Sequence, residues 1–579
     1  MRLRNRDIVA ILNETADLLD IREENAFRVR SYRNAARTIG DLDQEVADLV
    51  SRDEDLAALP DIGGSMAGKL EEIVTTGRLA QLDHLREEMD PHVVELLQIP
   101  NLGPSGARKL YKELGIAGVE GVIKAAEAGR IADVKGFGKK TESRLAADAR
   151  TLLESGSRGR LPISEAEAVV EPLVGYLEDQ EHGRIAVAGS YRRRAETIGD
   201  IDIVVTCDDP SRIMDAFVSY ERVDRVVARG DTRSTIVLDT GLHVDLRAVP
   251  EESFGSALYY FTGSKNHNVA VRRLAQDRGL KINEYGVFDG ENRIAGDTEE
   301  SVFSTIDLPY ICPEIRENRG EVEAAREGAL PQLIELDDIR GDLHMHTKAT
   351  DGKNTIRELA DAAKGYGYEY IAITDHSARV RMAHGLDADR LARQIDEVRQ
   401  INRDFEGIEI LAGIEVDILK DGTLDLPDEV LERLDVVIAA VHYDRNLGAA
   451  AMTDRVVRAI TNHPVSILAH PTGRMIGQRE PYEIDLDPIF EAAAEAGICL
   501  EINANPDRLD LSDRDARAAI ARGATLAIST DAHSMFGLSL MRYGVDTARR
   551  GWVEPGHVLN TMPLGTLRRT IRNGEKRGR

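Results

Sequence analysis

The 579-residue sequence predicts a multidomain protein with an all-α N-terminal region, an α+β middle region and a C-terminal distorted (β/α) barrel. The length alone suggests about three to five domains, at roughly 150 residues each. Amphipathic helical spacing fills residues 1–150, whereas strand-like runs begin near residue 184. Beyond residue 337, short apolar strands alternate with helices, a pattern typical of a parallel sheet and, with this many repeats, of a barrel. We therefore expect domain boundaries near residues 155 and 335.

Composition excludes several classes of protein. No apolar run reaches the roughly 18 residues of a membrane-spanning helix, and the first residues do not resemble a signal peptide. Cys207, Cys312 and Cys499 lie too far apart for a disulfide framework or a cysteine zinc cluster. We expect a cytoplasmic protein.

The charge balance bears on the choice of partner. The chain has 74 basic and 101 acidic residues, a net charge of -27, and only 14 of the basic residues are lysine. Strong acidity disfavours nucleic-acid partners, but acidity spread along a chain also fits adaptation to a salty cytoplasm, and we expect a halophile. Residues 1–150 have 22 basic and 27 acidic residues, so a polyanion could still dock there.

The N-terminal region repeats one pattern. Residues 59–72, 99–112 and 134–145 each have an apolar residue, a glycine-bearing turn and then a helix. Free N–H groups at such a helix start favour a phosphate, although a glycine-capped hairpin without a ligand has the same pattern. The three segments resemble helix-hairpin-helix motifs, which grip DNA backbones without reading the base sequence.

In the middle region, three aspartates interrupt apolar strands. Asp200 and Asp202 begin one strand and point to the same face, and Asp245 lies within another. Carboxylates forced together repel each other unless a divalent cation lies between them, whereas a solvated strand face is the simpler explanation of the first pair alone. Three such carboxylates holding two Mg²⁺ ions suit nucleotidyl transfer, because the ions lower the pKa of the attacking 3′-hydroxyl and neutralise the triphosphate.

The same region offers groups for phosphates. Gly189 and Ser190 allow a phosphate to approach closely. Arg192, Arg193 and Arg194 offer guanidinium groups, although an arginine run is more often a solvated face.

Four segments together resemble a family X DNA polymerase: GSYRRRAETIGDID (189–202), VDLR (244–247), YYFTGSKNHN (259–268) and INEYGVF (282–288). The resemblance implies an α+β nucleotidyltransferase palm with a thumb, and Mg²⁺, or Mn²⁺ as an alternative, at the polymerase site. It implies that Asp200, Asp202 and Asp245 are the catalytic metal ligands. It also implies that the nucleotide-binding residues are Gly189, Ser190, Arg193, Tyr260, Phe261, Gly263, Asn268 and Arg272.

Within that set, Ser190 and Arg193 would contact the triphosphate. Tyr260 and Phe261 would lie against the sugar, with core packing as the alternative for both. Asn268 and Arg272 would face the nascent base pair and template. The sequence departs from the family at His243, where many relatives have arginine, and at Arg194, where animal members have glycine.

The family's first domain binds a 5′-phosphate and can excise a deoxyribose phosphate through a lysine Schiff base. Lys69 falls at the matching position, with Arg28 and Tyr32 at the expected phosphate-binding positions. Two lysines of animal relatives are replaced by Arg28 and Ser65. Lys69 is therefore a candidate catalytic residue or a plain phosphate contact.

The C-terminal region places acids and histidines at successive strand ends. In a barrel, strand ends form one rim, where active sites lie. A lone histidine is more often structural, but this series is hard to explain in that way. Mixed imidazole and carboxylate ligands suit zinc, manganese or iron. The candidate metal ligands are His344, His346, Asp351, His376, Glu415, His442, His470, Asp531 and His533.

This segment, from residue 337 to about 558, resembles the PHP domain, a phosphoesterase module attached to many bacterial and archaeal family X polymerases. The resemblance implies three bound ions of Zn²⁺, Mn²⁺ or Fe²⁺, and a 3′–5′ exonuclease, 3′-phosphatase or abasic-site endonuclease activity. Arg474 is a candidate for holding a substrate phosphate, with a surface salt bridge as the alternative.

We expect a monomeric base-excision-repair enzyme that fills gaps in gapped or nicked DNA with deoxynucleoside triphosphates and hydrolyses 3′ ends. The alternatives are a DNA-end-binding scaffold and a small-molecule phosphatase with a retired polymerase site. The expected domains are a 5′-phosphate or lyase-like domain (1–85), helix-hairpin-helix fingers (86–155), palm (156–250), thumb (251–315), linker (316–336) and PHP domain (337–579).

Overall fold

The computed structural model describes residues 5–22, 24–41, 46–51, 54–59, 62–89, 91–99, 102–154, 160–180, 182–207 and 209–577. The chain divides into two units. The first comprises residues 1–159 and 239–241, and the second comprises residues 160–238 and 242–579. Within the described residues, no helix combines the length and apolarity needed to cross a membrane.

The first unit is helical, as predicted. Its helices are α1 (Asn5–Ile21), α2 (Ala26–Asp41), α3 (Val46–Ser51), α4 (Gly64–Thr76), α5 (Ala80–Glu88), α6 (Pro104–Leu114), α7 (Val119–Glu127) and α8 (Lys139–Glu154). Each predicted glycine turn precedes a helix start, since α4 follows Gly63, α6 follows Gly103 and α8 follows Gly138. Nothing lies within 4 Å of the position a Cβ would take on any of these three glycines, so the helix starts are open to a ligand.

The second unit begins with an α+β region. Its elements are β1 (Leu161–Pro162), α9 (Ile163–Glu178), β2 (Ile185–Val187), α10 (Gly189–Arg192), β3 (Thr197–Ile198), β4 (Asp200–Thr206), α11 (Pro210–Val218), β5 (Val223–Arg229), β6 (Arg233–Leu238) and β7 (His243–Val249). The main sheet has the order β2-β4-β7-β6-β5. Strands β4 and β7 are parallel neighbours at its centre. Apolar side chains of α9, α11 and the central strands form one core.

A smaller α+β region follows. It contains α12 (Phe254–Thr262), α13 (Lys265–Asp277), an antiparallel sheet of β8 (Leu280–Asn283), β9 (Gly286–Asp289) and β10 (Asn292–Ala295), then α14 (Glu299–Ser304) and α15 (Glu321–Glu327). The polar, charged stretch at residues 316–327 predicts a helical start to the linker, but the helix begins only at Glu321. Arg316 and Glu321 in this segment are fully buried, because they pair with Glu299 and His267.

The C-terminal region is a parallel sheet of seven strands in sequential order. The strands are β11 (Gly341–Asp342), β12 (Tyr370–Ile373), β13 (Glu409–Asp417), β14 (Val436–Ala440), β15 (Ile467–Leu468), β16 (Cys499–Asn503) and β17 (Thr525–Ser529). The helices are α16 (Ile356–Gly365), α17 (Ala388–Asp404), α18 (Asp428–Leu431), α19 (Ala449–Asn462), α20 (Asp487–Ala496), α21 (Asp513–Ala521), α22 (Met541–Arg550) and α23 (Leu564–Arg577). A parallel bridge between Met345 and Ala532 brings the two ends of the sheet together, so the barrel is nearly closed.

Candidate functional sites

The three predicted aspartates lie side by side. Asp202 on β4 is paired directly with Asp245 on β7, and Asp200 is paired with His243. Because side chains opposite each other in a parallel pair share a face, the carboxylates of Asp200, Asp202 and Asp245 occupy one face of the sheet. The structure therefore brings Asp245 beside Asp200 and Asp202, although it lies more than 40 positions further along the sequence.

The electrostatics of this cluster favour a cation. Burial, followed by the neighbouring charges of Asp200 and Asp245, raises the pKa of Asp202 to about 6. Asp245 is partly neutralised by Arg233, whose Nη2 lies 3.0 Å from its Oδ2, and by Arg247 at 3.6 Å. Thr235 Oγ1 also donates a hydrogen bond to Asp245. A divalent cation relieves repulsion among neighbouring acids, so these residues fit a site for a divalent cation.

The first residue of α10, Gly189, lies beside the aspartates. Gly189 has a φ of 65°, and a Cβ there would lie 3.2 Å from Asp202 Oδ2, which makes glycine the fitting residue. The Oγ of Ser190 is buried and has no hydrogen-bond partner among the described residues. Arg193 is mostly buried and donates through Nε to Glu317 Oε1 at 3.0 Å and through Nη1 to the carbonyl oxygen of Thr262.

The arginines on either side of Arg193 are paired elsewhere, which corrects the expectation that all three face phosphates. Arg192 forms a bidentate pair with buried Glu299 at 2.8 and 2.6 Å. Arg194 pairs with buried Glu167 at 3.0 Å. Their role in the structure is to tie α10 to its surroundings.

The predicted sugar-side residues are half-buried at the end of α12. Tyr260 and Phe261 form an edge-to-face pair with centroids 5.2 Å apart, whereas Tyr259 is a core residue. The guanidinium of Arg247 lies 4.2 Å from the centroid of Phe261, and so connects this ring to Asp245. Gly263, with a φ of 70°, ends the helix.

Asn268 and Arg272 lie on α13, the helix that follows α12 after the turn at Gly263. Asn268 is buried and donates a 2.7 Å hydrogen bond to the carbonyl oxygen of Tyr260, while its own Oδ1 has no partner among the described residues. Arg272 donates through Nε to the carbonyl oxygen of Asn268 at 3.2 Å. The amide of Asn268 thus fixes the turn that carries Gly263.

In the first unit, Lys69 lies on α4 near Tyr32 and Arg28, the two residues expected to bind phosphate with it. Its Nζ lies 5.0 Å from the ring centroid of Tyr32 and 3.4 Å from Ser65 Oγ. Partial burial, followed by the positive charge of Arg28, lowers the pKa of Lys69. Tyr32 donates a 2.6 Å hydrogen bond to Gln81.

All nine predicted ligands of the barrel converge at the carboxyl ends of its strands. His344, His442, His470 and Asp531 each lie two residues beyond a strand end. The donor atoms gather in three groups, each within 4.8 Å: His346 with Asp351, His376 and His533; His344 with His346 and Asp531; and His376 with Glu415 and His442. The ninth residue, His470, contacts Glu415 through Nε2 at 3.1 Å.

The donor set fits divalent cations. His376 lies between two carboxylates, because its Nδ1 is 2.6 Å from Glu415 Oε2 and its Nε2 is 3.3 Å from Asp351 Oδ2. Burial lowers the pKa of His376, but the carboxylates of Glu415 and Asp351 outweigh this and raise it to about 10. Burial, together with the neighbouring His376, lowers the pKa of His346 to about 4. Buried carboxylates therefore attract positive charge here, which protons or metal ions must provide.

Backbone strain marks the same rim. Among the ligands, His470 has a φ of 29° and Asp531 has a φ of 54°, a region that residues other than glycine rarely adopt. Such conformations persist where the surrounding structure enforces them and cluster at functional sites.

A set of buried acids behind the ligands was not predicted. Glu501 accepts hydrogen bonds from His344 Nδ1 at 2.7 Å and from the His470 main chain at 2.8 Å. Asp417 lies 3.3 Å from His442 Nδ1. Partners of this kind fix the orientation of ligating imidazoles. The available signal was an acid inside an apolar strand, as in the sequence CLEIN, the same signal that identified Asp245.

Arg474 is not positioned to hold a substrate phosphate. Its side chain is largely buried, pairs with Glu196 at 2.7 Å and donates to the carbonyl oxygen of Arg508. Of the two expectations for this residue, the salt bridge is therefore confirmed, with Arg474 largely buried and Glu196 exposed.

Comparisons with known proteins match every region of the chain. Family models match a helix-hairpin-helix domain over residues 3–79, a SAM-like helix-hairpin-helix tandem over 93–151, a DNA polymerase beta palm over 160–252, a DNA polymerase beta thumb over 257–317 and a PHP domain over 342–505.

Curated relatives fall into two kinds. The DNA polymerase/3'-5' exonuclease PolX of Bacillus subtilis (strain 168) is 38% identical over 97% of this chain and 98% of its own length. A probable phosphatase of Thermoanaerobacter sp. (strain X514) is 28% identical over 41% of this chain and 96% of its own length. A probable phosphatase of Shewanella sp. (strain MR-4) is 29% identical over 41% of this chain and 92% of its own.

Proposed function

Because the chain belongs to the family X DNA polymerases that carry a C-terminal PHP domain, we propose that it fills short gaps in DNA under template direction and hydrolyses DNA 3′ ends with its barrel. The observation that carries this proposal is the pairing of Asp202 with Asp245 beside Asp200. Gapped or nicked DNA, bound through the helix-hairpin-helix segments, and deoxynucleoside triphosphates are the proposed substrates. The predicted domain boundaries belong to the same proposal.

Each site would hold divalent cations through its own residues. The three aspartates would hold Mg²⁺, with Mn²⁺ as the alternative, and the nine barrel ligands would hold three ions of Zn²⁺, Mn²⁺ or Fe²⁺. When bound, such ions lower the pKa of an attacking hydroxyl or water and neutralise phosphate charge. The overlapping groups that share His346 and His376 support a multinuclear barrel site.

The remaining polymerase residues would orient the nucleotide. Ser190 Oγ is buried and unpartnered, so it is suited to donate a hydrogen bond to a triphosphate oxygen. Arg193 donates through Nε and Nη1, and its Nη2 has no acceptor in the part of the chain that the structure describes, so Nη2 is suited to donate to another oxygen. Tyr260 and Phe261 would pack against the sugar, and Asn268 and Arg272 would face the nascent base pair and template.

In the first unit, the lowered pKa of Lys69 supports a Schiff-base role, because the neutral amine is the nucleophile. The nearby Arg28 equally supports a phosphate contact. Trapping a covalent DNA adduct with borohydride on a 5′-deoxyribose phosphate end distinguishes the two, because only the first role yields an adduct.

Two substitutions test the division of labour. We expect Asp202→Asn to reduce primer extension on singly gapped DNA by more than about a hundredfold and to leave 3′ hydrolysis unchanged. We expect His344→Ala to reduce 3′ hydrolysis and to leave primer extension unchanged. The loss of hydrolysis should be at least about 10- to 100-fold, because even substitution of residues that only orient a metal ligand reduces activity by that factor. Activity is measured with Mg²⁺ and with Mn²⁺ on labelled primers.

Matched controls remove similar groups outside the sites. Asp224→Asn removes an exposed carboxylate from the edge strand of the same sheet, and His463→Ala removes an imidazole that pairs with Asp428. Both controls should retain both activities. If either site variant lost both activities while its circular dichroism spectrum stayed native, the two-site proposal would be wrong.

The barrel's preferred phosphoester is tested on the same primers. Similarity to proteins named probable phosphatases favours removal of a 3′-phosphate, whereas the longer relative's name favours exonuclease action. Primers ending in a 3′-phosphate, a 3′-hydroxyl or an abasic site separate these outcomes when each is digested by the Asp202→Asn variant.

A further inference from the structure

A buried ion network connects the barrel to the proposed nucleotide-binding arginine. Arg550, the last residue of α22, donates through Nη1 to the main-chain carbonyl oxygen of Arg193 at 2.6 Å and to Glu317 Oε1 at 3.1 Å. That same oxygen of Glu317 accepts the Nε of Arg193. Arg550 thus contacts both the main chain of Arg193 and the carboxylate that aims its side chain.

The barrel also fixes Arg550 from behind. Its Nη2 lies 3.0 Å from Asp513 Oδ2 on α21, and Arg319 contacts the same carboxylate at 2.9 Å. The side chains of Arg550, Glu317 and Asp513 are 9%, 17% and 15% exposed, so solvent screens these pairs only weakly. A guanidinium held on both sides in this way has little freedom to move.

We infer that Arg550 is a positioning residue for the polymerase site, supplied by the phosphoesterase domain. It holds the C-terminal end of α10, the helix that carries Gly189 and Ser190, and through Glu317 it orients the side chain of Arg193 toward a triphosphate oxygen. The inference rests on the proposed role of Arg193. The arrangement differs from simple domain adhesion because the anchored atom is the main-chain oxygen of the nucleotide-binding residue itself.

Steady-state extension with varied deoxynucleotide concentration tests the inference in the full-length enzyme. Arg550→Ala should raise the KM for the incoming nucleotide about tenfold or more, because it removes hydrogen bonds to a charged group, while kcat changes less. Arg550→Lys, which retains one charged donor, should give an intermediate KM. Hydrolysis of 3′ ends by the barrel should remain unchanged in both variants.

The neighbouring Arg549 provides the matched control. It lies on the same helix and pairs with Glu314 at 2.9 Å and Glu335 at 2.6 Å, but it contacts neither Arg193 nor Glu317. Arg549→Ala should therefore leave the nucleotide KM unchanged. An equal rise of KM in the Arg549 and Arg550 variants would show that general docking of α22 matters, and would overturn the inference.

A double-mutant cycle separates this inference from the function on which it rests. If Arg550 acts by aiming the side chain of Arg193, adding Arg550→Ala to Arg193→Ala should raise KM much less than Arg550→Ala does alone, because the guanidinium that Glu317 holds is already absent while the main-chain contact is common to both backgrounds. A full additional loss would contradict the inference. If Arg193→Ala itself leaves KM unchanged, the proposed role of Arg193 fails first. If Arg550→Ala does not fold, Glu317→Gln removes the same link and should also raise KM.

Discussion

Glu299 is the residue on which the attachment of α10 to the thumb region depends. Its carboxylate is 5% exposed and lies between Arg192 and Arg316, of which Arg316 is fully buried. Burial raises the pKa of Glu299, but these two guanidinium groups outweigh that effect and lower it to about 2. Since the folded pKa is depressed below the usual value of 4.5, the stabilisation is complete above pH 4.5 and is lost as pH falls toward 2.

We therefore expect Glu299→Gln to cost about 3–5 kcal/mol at pH 7, because it leaves a buried guanidinium without its countercharge. The penalty should stay nearly constant from pH 7 to pH 5 and shrink at pH 3.5, because there Glu299 is protonated in the unfolded chain but still ionised in the folded protein, which reduces the stabilisation that the charge provides. Thermal unfolding at the three pH values measures this. Glu323→Gln, at an exposed position of α15, should have little effect throughout. An undiminished penalty at pH 3.5 would mean that the charge is not its source.

At the scale of elements, α22 lies unusually close to the barrel strands. A Cβ on Gly544 would lie 2.5 Å from Ile528 Cγ2 and 2.7 Å from Ala504 Cβ, both of which are buried. Gly544→Ala should therefore destabilise the protein by about 1–3 kcal/mol through overpacking, seen as a lower Tm. Gly175→Ala on α9, where nothing lies within 4 Å, should instead raise stability by about 0.5–1 kcal/mol. Equal effects of the two substitutions would rule out close packing as the reason for glycine.

The sequence predicted the elements whose pattern is local. The apolar runs at residues 201–207, 242–249 and 525–529 each predict a strand, and strands β4, β7 and β17 match these ranges to within one residue at either end. Strand β5 was missed because it is an edge strand with alternating charges and mostly exposed side chains. The run at 465–469 predicted five strand residues, but only Ile467–Leu468 pair, because the chain then turns to place His470 at the rim.

Long-range partners were beyond prediction for a physical reason. Nearly all of the nine candidate ligands of the barrel were predicted from positions just after apolar strands, and the structure gathers all nine because parallel strands deliver their ends to one rim. The partners of Arg192 and Arg194 lie 107 and 27 residues away, and pairing at such distances depends on how domains pack. A run of three arginines therefore could not show that Arg192 and Arg194 pair with the buried carboxylates of Glu299 and Glu167.

At the scale of the second unit, the α+β region and the barrel share a core. Leu509 and Tyr543 of the barrel are buried among the apolar side chains of the central sheet. Tyr543 also donates to the buried carboxylate of Glu167, which Arg542 contacts at 2.7 Å. The two active sites are thus parts of one packed body, which is the condition for Arg550 to position a residue of the polymerase site.

For the whole chain, the net charge of -27 with only 14 lysines predicts tolerance of high salt. Self-repulsion at this charge destabilises a compact state in dilute buffer, and about 1 M KCl shortens the Debye length to about 3 Å and relieves it. Screening also weakens phosphate contacts, so the helix-hairpin-helix segments must still hold DNA through main-chain donors. We expect a higher Tm and continued gap filling in about 1 M KCl, which thermal unfolding and primer extension on gapped DNA at increasing KCl measure. Unfolding on addition of KCl would refute the hypothesis of adaptation to salt, whereas a stable but inactive protein would place the deficit in DNA binding.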